Sequence, residues 1–490
     1  MGYISTRGEK KNYKSSEVIK TGISIDGGLF VKQDIQKINL SVIKNKTFKQ
    51  IAKVVIETFL DDYKNDELEK FIEQAYNKKF SAEEITFLKK IDNNTYVLEL
   101  FHGPTSAFKD IALSILPYLL KSAIEKSKEK SKILILTATS GDTGKAALEA
   151  FKNINQIQVI VFYPKYGVSK IQEKQMLSQE GDNVFVVGIN GNFDDAQSAV
   201  KSVFNDKNLK EKLKNKNIEL SSANSINIGR LIPQIVYYFY SYMKLIESGE
   251  IKFDEEINFS VPTGNFGNIL AGYYAKQMGL PINKLICASN ENNVLYNFLK
   301  TGVYDRNREL KKTNTPSMDI LISSNLERVL YHLSEEDSEY INYLMDLLNK
   351  TGKYEILESL KIKMDNIFTP SYSDDKTTLE VIKRVYDKFS YILDPHTAVA
   401  FKGAEDFAKL NSREKVIVLS TASPYKFSRD VYKAIFGEIE EDDFRVMELL
   451  NEKTGVEIPK NLKDLKERKI IHNVVIEKED IKRYIEEMML

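Results

Sequence analysis

Cysteine occurs once in the 490 residues, so no internal disulfide can staple the chain. That residue, Cys287, lies in the apolar run KLICASN. It reads as a small buried hydrophobe rather than a nucleophile, in a protein suited to a reducing compartment. Excess charge is also absent: Lys+Arg and Asp+Glu both number 70, which leaves no global basic field to attract nucleic acid or anionic membrane. No stretch approaches the roughly 18 consecutive apolar residues of a membrane span. The opening MGYISTRGEKKNYK has no apolar core of a signal peptide. Gly2 and Thr6 fit a myristoylation pattern formally, but no second membrane signal accompanies them. The 4 histidines, His102, His332, His396 and His472, show no metal-ligand spacing, so no metal is expected and packing is their default role. Internal repeats and low-complexity tracts are missing too. A cytoplasmic protein without nucleic-acid or membrane partners is the expectation.

What is present is material for a large core, with 42% hydrophobic and 29% charged residues in a length worth roughly three domains. From about residue 95 onward, strand-like runs alternate with helical ones: SKILILTA, KAALEAFKNI, QIQVIVFYP, SKIQEKQMLSQEG, VFVVGI. A second set follows in EINFSVPTGNFGNILAGYYAKQMG, KLICASN and EKVIVLSTASPYKF. This βαβ rhythm, with nearly continuous apolar strands, predicts an α/β fold whose parallel sheets are covered by helices. The first ninety or so residues read as helices with a hairpin or turn at GISIDGGLFVKQ. Residues 305–390 are charged and read as a helical insertion beside the sheet.

The chemistry gathers on three stretches. In HGPTSAFKD, residues 102–110, Lys109 falls in the first turn of an apolar helix, with Thr105 or Ser106 as the natural N-cap. A cation there opposes the helix dipole, and burial adds to the effect, so the amine is pushed toward its neutral form. A neutral lysine is what forms a Schiff base with an aldehyde. Two glycine-bearing turns, TATSGDTGKAA (137–147) and VPTGNFGNILAG (261–272), each join a strand to a helix and can cradle an anion on backbone N–H groups. Neither is a nucleotide loop: Ala146 follows Gly144-Lys145 where a Walker motif needs Ser/Thr, and the second lacks G-x-G-x-x-G. Taken singly, either could be an ordinary turn. A lysine plus a phosphate cradle suits a cofactor carrying both aldehyde and phosphate, which is pyridoxal phosphate. The other cradle is left for an anionic substrate group.

The motifs FHGPTSAFKD, TSGDTG, SSANSINIGRLIPQ, VPTGNFGNILAGYYAKQMGLPI and STASPYKF, with YISTRG and DGGLF near the start, resemble those of the threonine synthase family and stand in its order. The likeness covers residues 3 to about 430. It implies a pyridoxal-phosphate fold of type II (tryptophan synthase β-like). The domains would be an N-terminal threonine-synthase-type domain at 1–95, a cofactor-binding catalytic region at 96–430 made of two α/β subdomains plus the insertion, and a helical tail at 431–490. It implies that Lys109 is the Schiff-base lysine and proton carrier. Gly264, Asn265, Phe266, Gly267 and Asn268 would hold the cofactor phosphate, and Thr421 would bond the pyridine nitrogen. Asp142 would face the ring, with helix capping as its bland alternative. Ser140 and Thr143 match the loop near substrate. Arg230 is the candidate for the substrate phosphate, with a structural ion pair as the competing role. Asn224 is a candidate for the amino-acid end. Ser423 and Tyr425 stand where His and Ala are frequent, with no consequence assigned.

The reaction so implied converts O-phospho-L-homoserine and water to L-threonine and phosphate, by γ-elimination and addition of water at Cβ. The alternative is a threonine-synthase-like phospho-lyase releasing keto acid, ammonia and phosphate. A non-catalytic phosphate-binding relative is disfavoured by the intact Lys109 and both glycine loops. A monomer or homodimer is expected.

Overall fold

The computed structural model describes residues 2–81, 84–127 and 131–489. Two sheets organise it. The first has 6 strands in the order Phe368–Tyr372, Ile282–Ser289, Ile257–Pro262, Val416–Ser420, Thr95–Glu99, Phe87–Lys90. All its neighbours run parallel except the last pair, which is antiparallel. The second has 5 parallel strands in the order Val474–Glu477, Val184–Asn190, Ile157–Pro164, Lys132–Ala138, Ile218–Ser221. The runs KILILTA and INFSVP form central strands because helices cover both faces, and continuous apolar sequence is stable only in that setting. Between them in the chain, helix Ile228–Glu247 is buried over most of its length. It packs on helices Phe48–Glu57, Lys109–Leu113 and Gly267–Gln277.

Several local expectations are corrected. Of the hairpin or turn expected at GISIDGGLFVKQ, the turn forms, with Gly27 at φ +81°, while strand Phe30–Lys32 pairs back on Tyr3–Ser5 rather than within the stretch. The stretch 305–390 is largely helical but also supplies Phe368–Tyr372, an edge strand of the first sheet. The 431–490 segment is not purely helical, since Val474–Glu477 extends the second sheet beside Val184–Asn190. This segment also reaches the Lys109 loop. Asn461 accepts from Ser106 Oγ at 2.9 Å and donates to the Pro104 carbonyl at 2.8 Å. Tyr425 gains a role here: its ring is buried and its hydroxyl donates to the Val456 carbonyl. Ser423 caps the short helix Pro424–Phe427, accepting the Tyr425 N–H.

Among the described residues no helix is long and apolar enough to cross a membrane, and no group of His, Cys, Asp and Glu is arranged to hold a metal. Cys287 is buried and unpaired.

Candidate active site

A cleft forms where strands Lys132–Ala138, Ile257–Pro262 and Val416–Ser420 end, at their carboxyl edges, where open α/β sheets bind ligands. Every candidate residue lines it: Lys109, Ser140, Asp142, Thr143, Asn224, Arg230, Gly264, Asn265, Phe266, Gly267, Asn268 and Thr421.

Lys109 is the first residue of helix Lys109–Leu113. The capping expectation fails, because Phe108 holds the N-cap position without a side-chain bond. Thr105 instead turns its hydroxyl and N–H onto the Asp110 carboxylate, at 2.6 and 2.8 Å, and Ser106 adopts φ +59°. The loop is thereby wound tightly around Asp110 and anchored by the Phe108 N–H on the Thr421 carbonyl at 2.8 Å. Lys109 Nζ lies 3.6 Å from Asp142 Oδ2. Burial pushes its ammonium down to about 8, against the pull of Asp142 and with help from the charges of Arg230 and Lys426.

Asp142 opens helix Asp142–Phe151, whose N-cap Gly141 stands at φ +124°. A side chain at Gly141 would collide with Gln172, so the turn is built for glycine. Asp142 is not the cap. Thr139 does that work, its Oγ1 accepting the N–H groups of Gly141 and Gly144 at 3.0 and 2.8 Å. The Asp142 carboxylate instead receives Lys426 Nζ at 2.6 Å and Gln172 Nε2 at 2.7 Å. Although burial opposes it, Lys426 and Lys109 hold this carboxyl well below the usual carboxylate range.

The second glycine turn precedes helix Gly267–Gln277. Phe266 sits in the left-handed region at φ +60°, a strained choice for a bulky residue, with its ring fixed edge-on against Phe368. A Cβ on Gly264 would stand 2.9 Å from the Ser317 carbonyl. The turn's carbonyls are taken: Ser323 Oγ donates to Gly264 and Asn325 to Asn265. Among the described residues, no protein acceptor takes the N–H groups of residues 264–268. They form a cradle of the kind that binds phosphate at a helix N-terminus.

Arg230, in the first turn of Ile228–Glu247, is 3% exposed. The ion-pair alternative fails, since no carboxylate of the described residues meets it. Its Nη1 donates to the Ala223 carbonyl at 2.8 Å, its Nε has no partner, and burial pushes the group down to about 10. Asn224 Oδ1, Asn268 Nδ2 and Ser317 Oγ are likewise buried, unpartnered and on the cleft. Buried polar groups normally find partners, so four such atoms around one cleft mark a place for a polar ligand. A lysine pushed toward neutrality, a free N–H cradle and a separate guanidinium fit pyridoxal phosphate plus a second anion.

Sequence reasoning missed three contributors. Lys426 stands in the quoted STASPYKF motif, but nothing local distinguishes it from a surface lysine. His396 lines the cleft, with Nδ1 3.0 Å from Asp394 Oδ1 and Nε2 accepting the Ser317 N–H at 3.3 Å. Helix Phe193–Asn205 adds an apolar wall through Phe193, Val200 and Phe204.

Fold and site are those of a pyridoxal-phosphate-dependent enzyme, and residues 82–422 match that family. Residues 2–76 match the threonine synthase N terminus and 397–485 the threonine synthase C-terminal family. The chain belongs to the threonine synthase family. It is 37% identical to threonine synthase of Schizosaccharomyces pombe, over 89% of each chain. The crystal structure of pyridoxal-phosphate-bound threonine synthase from Brucella melitensis superposes with a TM-score of 0.87 at 35% identity, covering 100% of this chain and 99% of that one. Human threonine synthase-like 1 is 39% identical over 86% of this chain, which spans 58% of that longer protein.

Proposed function

We propose that this protein is a lyase that converts O-phospho-L-homoserine and water to L-threonine and phosphate. The observation that carries this reading is Arg230, a buried guanidinium without a carboxylate, facing the same cleft as Lys109 but distinct from the N–H cradle at 264–268. One anion position belongs to the cofactor phosphate and the other suits a phosphate on the substrate.

Pyridoxal phosphate, when bound, supplies the electron sink that loosens protons on the substrate carbons near its amine. Lys109 Nζ would hold the cofactor and, when freed, would take the proton from Cα. Main-chain N–H groups of Gly264, Asn265, Phe266, Gly267 and Asn268 hold the cofactor phosphate. The Thr421 hydroxyl would bond the pyridine nitrogen, and Asp142 would face the ring while orienting Lys109. Arg230 holds the substrate phosphate through its departure from Cγ. Asn224 would meet the substrate's amino-acid end, and Ser140 and Thr143 would bound the substrate side. The domains proposed are 1–95, 96–430 and 431–490. The protein is proposed to work in the cytoplasm as a monomer or homodimer, without nucleic acid or membrane, on its balanced charge and single buried thiol.

The test is incubation of purified protein with O-phosphohomoserine, with threonine, keto acid and phosphate assayed together. Threonine and phosphate in equal amounts, lost in Lys109→Ala, support the proposal. Keto acid and phosphate without threonine transfer the protein to the phospho-lyase alternative.

A further inference from the structure

Lys426 is fully buried, 0% exposed, yet touches no open part of the cleft. A lone buried ammonium is costly, so its partners state its purpose. Its Nζ meets Asp142 Oδ1 at 2.6 Å and donates to the Thr105 carbonyl at 3.0 Å. Thr105 belongs to the loop that leads into Lys109. Asp142 offers its other oxygen, Oδ2, to Lys109 Nζ at 3.6 Å. One carboxylate is thus shared by two lysines, and the second lysine also pins the loop carrying the first. Gln172 Nε2 donates to the same oxygen as Lys426, Oδ1, at 2.7 Å.

We propose that Lys426 is a positioning residue for Lys109: it occupies one oxygen of Asp142 and carries the balancing positive charge, so that Asp142 orients Lys109 through the other. The inference rests on Lys109 as the cofactor-attaching lysine. Without the second charge, Asp142 would form an ordinary ion pair with Lys109 and hold its proton. With it, the carboxylate is satisfied before Lys109 approaches. The charged groups acting on Lys109 are Asp142, which favours its ammonium, and Arg230 and Lys426, which oppose it; the Phe108 ring lies 4.7 Å from its Nζ. A structural role for Lys426 alone would stabilise the loop without making Lys109 sensitive to its charge.

The experiment strips the protein of cofactor and follows the absorbance change as added pyridoxal phosphate is captured, at a series of pH values. Only neutral Lys109 attacks, so the midpoint of the rate profile reads its ionisation, independently of any substrate. Lys109→Ala must abolish the covalent signal; if it does not, the underlying assignment of Lys109 fails, separately from this inference. Lys426→Met is expected to move the midpoint up by about one pH unit, with capture about tenfold slower below it. Lys426→Arg, which keeps the charge, should leave the midpoint near its original place. Adding Asp142→Asn to Lys426→Met removes both opposing charges and should bring the midpoint back down. An unmoved midpoint in Lys426→Met, or one equally raised in the double variant, overturns the proposal. Should Lys426→Met not fold, Lys426→Gln, which keeps a hydrogen-bond donor on Asp142 without the charge, takes its place: the same rise is expected, and an unmoved midpoint overturns the proposal.

Discussion

Replacing Arg230 by methionine should strengthen the cofactor-free protein while crippling it. The guanidinium is buried against a single carbonyl, with Nε unpartnered, and burial lowers it from 12.5 to about 10. At neutral pH it is charged in folded and unfolded chains alike, so this lowering weighs on the folded state by roughly 3 kcal/mol. Losing the bond to Ala223 returns about 1 kcal/mol of that. The net expectation is a gain of about 2 kcal/mol, read as a higher denaturant midpoint without cofactor or phosphate. Turnover should move the other way. A charged hydrogen bond to phosphate contributes roughly 1.5–3 kcal/mol, and a forked pair more, so kcat/KM should fall by about 10²–10³. Added inorganic phosphate should raise the unfolding midpoint of the parent protein and leave that of the variant unchanged. A variant destabilised by more than about 1 kcal/mol, with full activity, would refute the view of Arg230 as an anion site held ready at a cost in stability.

Other expectations follow from the same geometry. Lys109 is lowered from 10.5 to about 8, so the folded state binds fewer protons than the unfolded one in that window. Lys109 should therefore add stability as pH rises from about 8 to 10.5, a slope that Lys109→Met should remove in pH-resolved unfolding. Gly264→Ala sets a Cβ 2.9 Å from the Ser317 carbonyl, so cofactor affinity measured by equilibrium titration should drop at least tenfold while the fold persists. Tyr425→Phe deletes the buried hydroxyl's bond to Val456 and should cost about 1 kcal/mol in denaturant unfolding.

Much of this was legible because its causes are local. Continuous apolar runs gave the buried parallel strands, and the glycine turns gave the strand-to-helix junctions. Lys109 at a helix start advertised itself by opposing the dipole. What escaped was decided across distance. Thr105 and Ser106 have the chemistry of caps, but the buried Asp110 carboxylate claims the Thr105 side chain, and the chain winds differently around it. Strands Phe368–Tyr372 and Val474–Glu477 are short, the first containing Pro370, and only their neighbours make them strands. Arg230 could be an ion pair or an anion site, and only the fold shows that no carboxylate of the described residues stands beside it. Lys426 was hidden for the same reason: lysine is an ordinary surface residue, and burial is a property of the whole fold.

The tie from Asn461 to Pro104 and Ser106 has a consequence for synthesis. The partners lie more than 350 positions apart, and on the ribosome Asn461 emerges long after the lysine loop has been made. Contacts of such separation form late, after the entropy of closing a long loop has been overcome. The loop that carries Lys109 therefore gains this tie only after the segment around Asn461 has been made and has docked. On the proposed role of Lys109, covalent capture of the cofactor would then report that the Asn461 segment is in place.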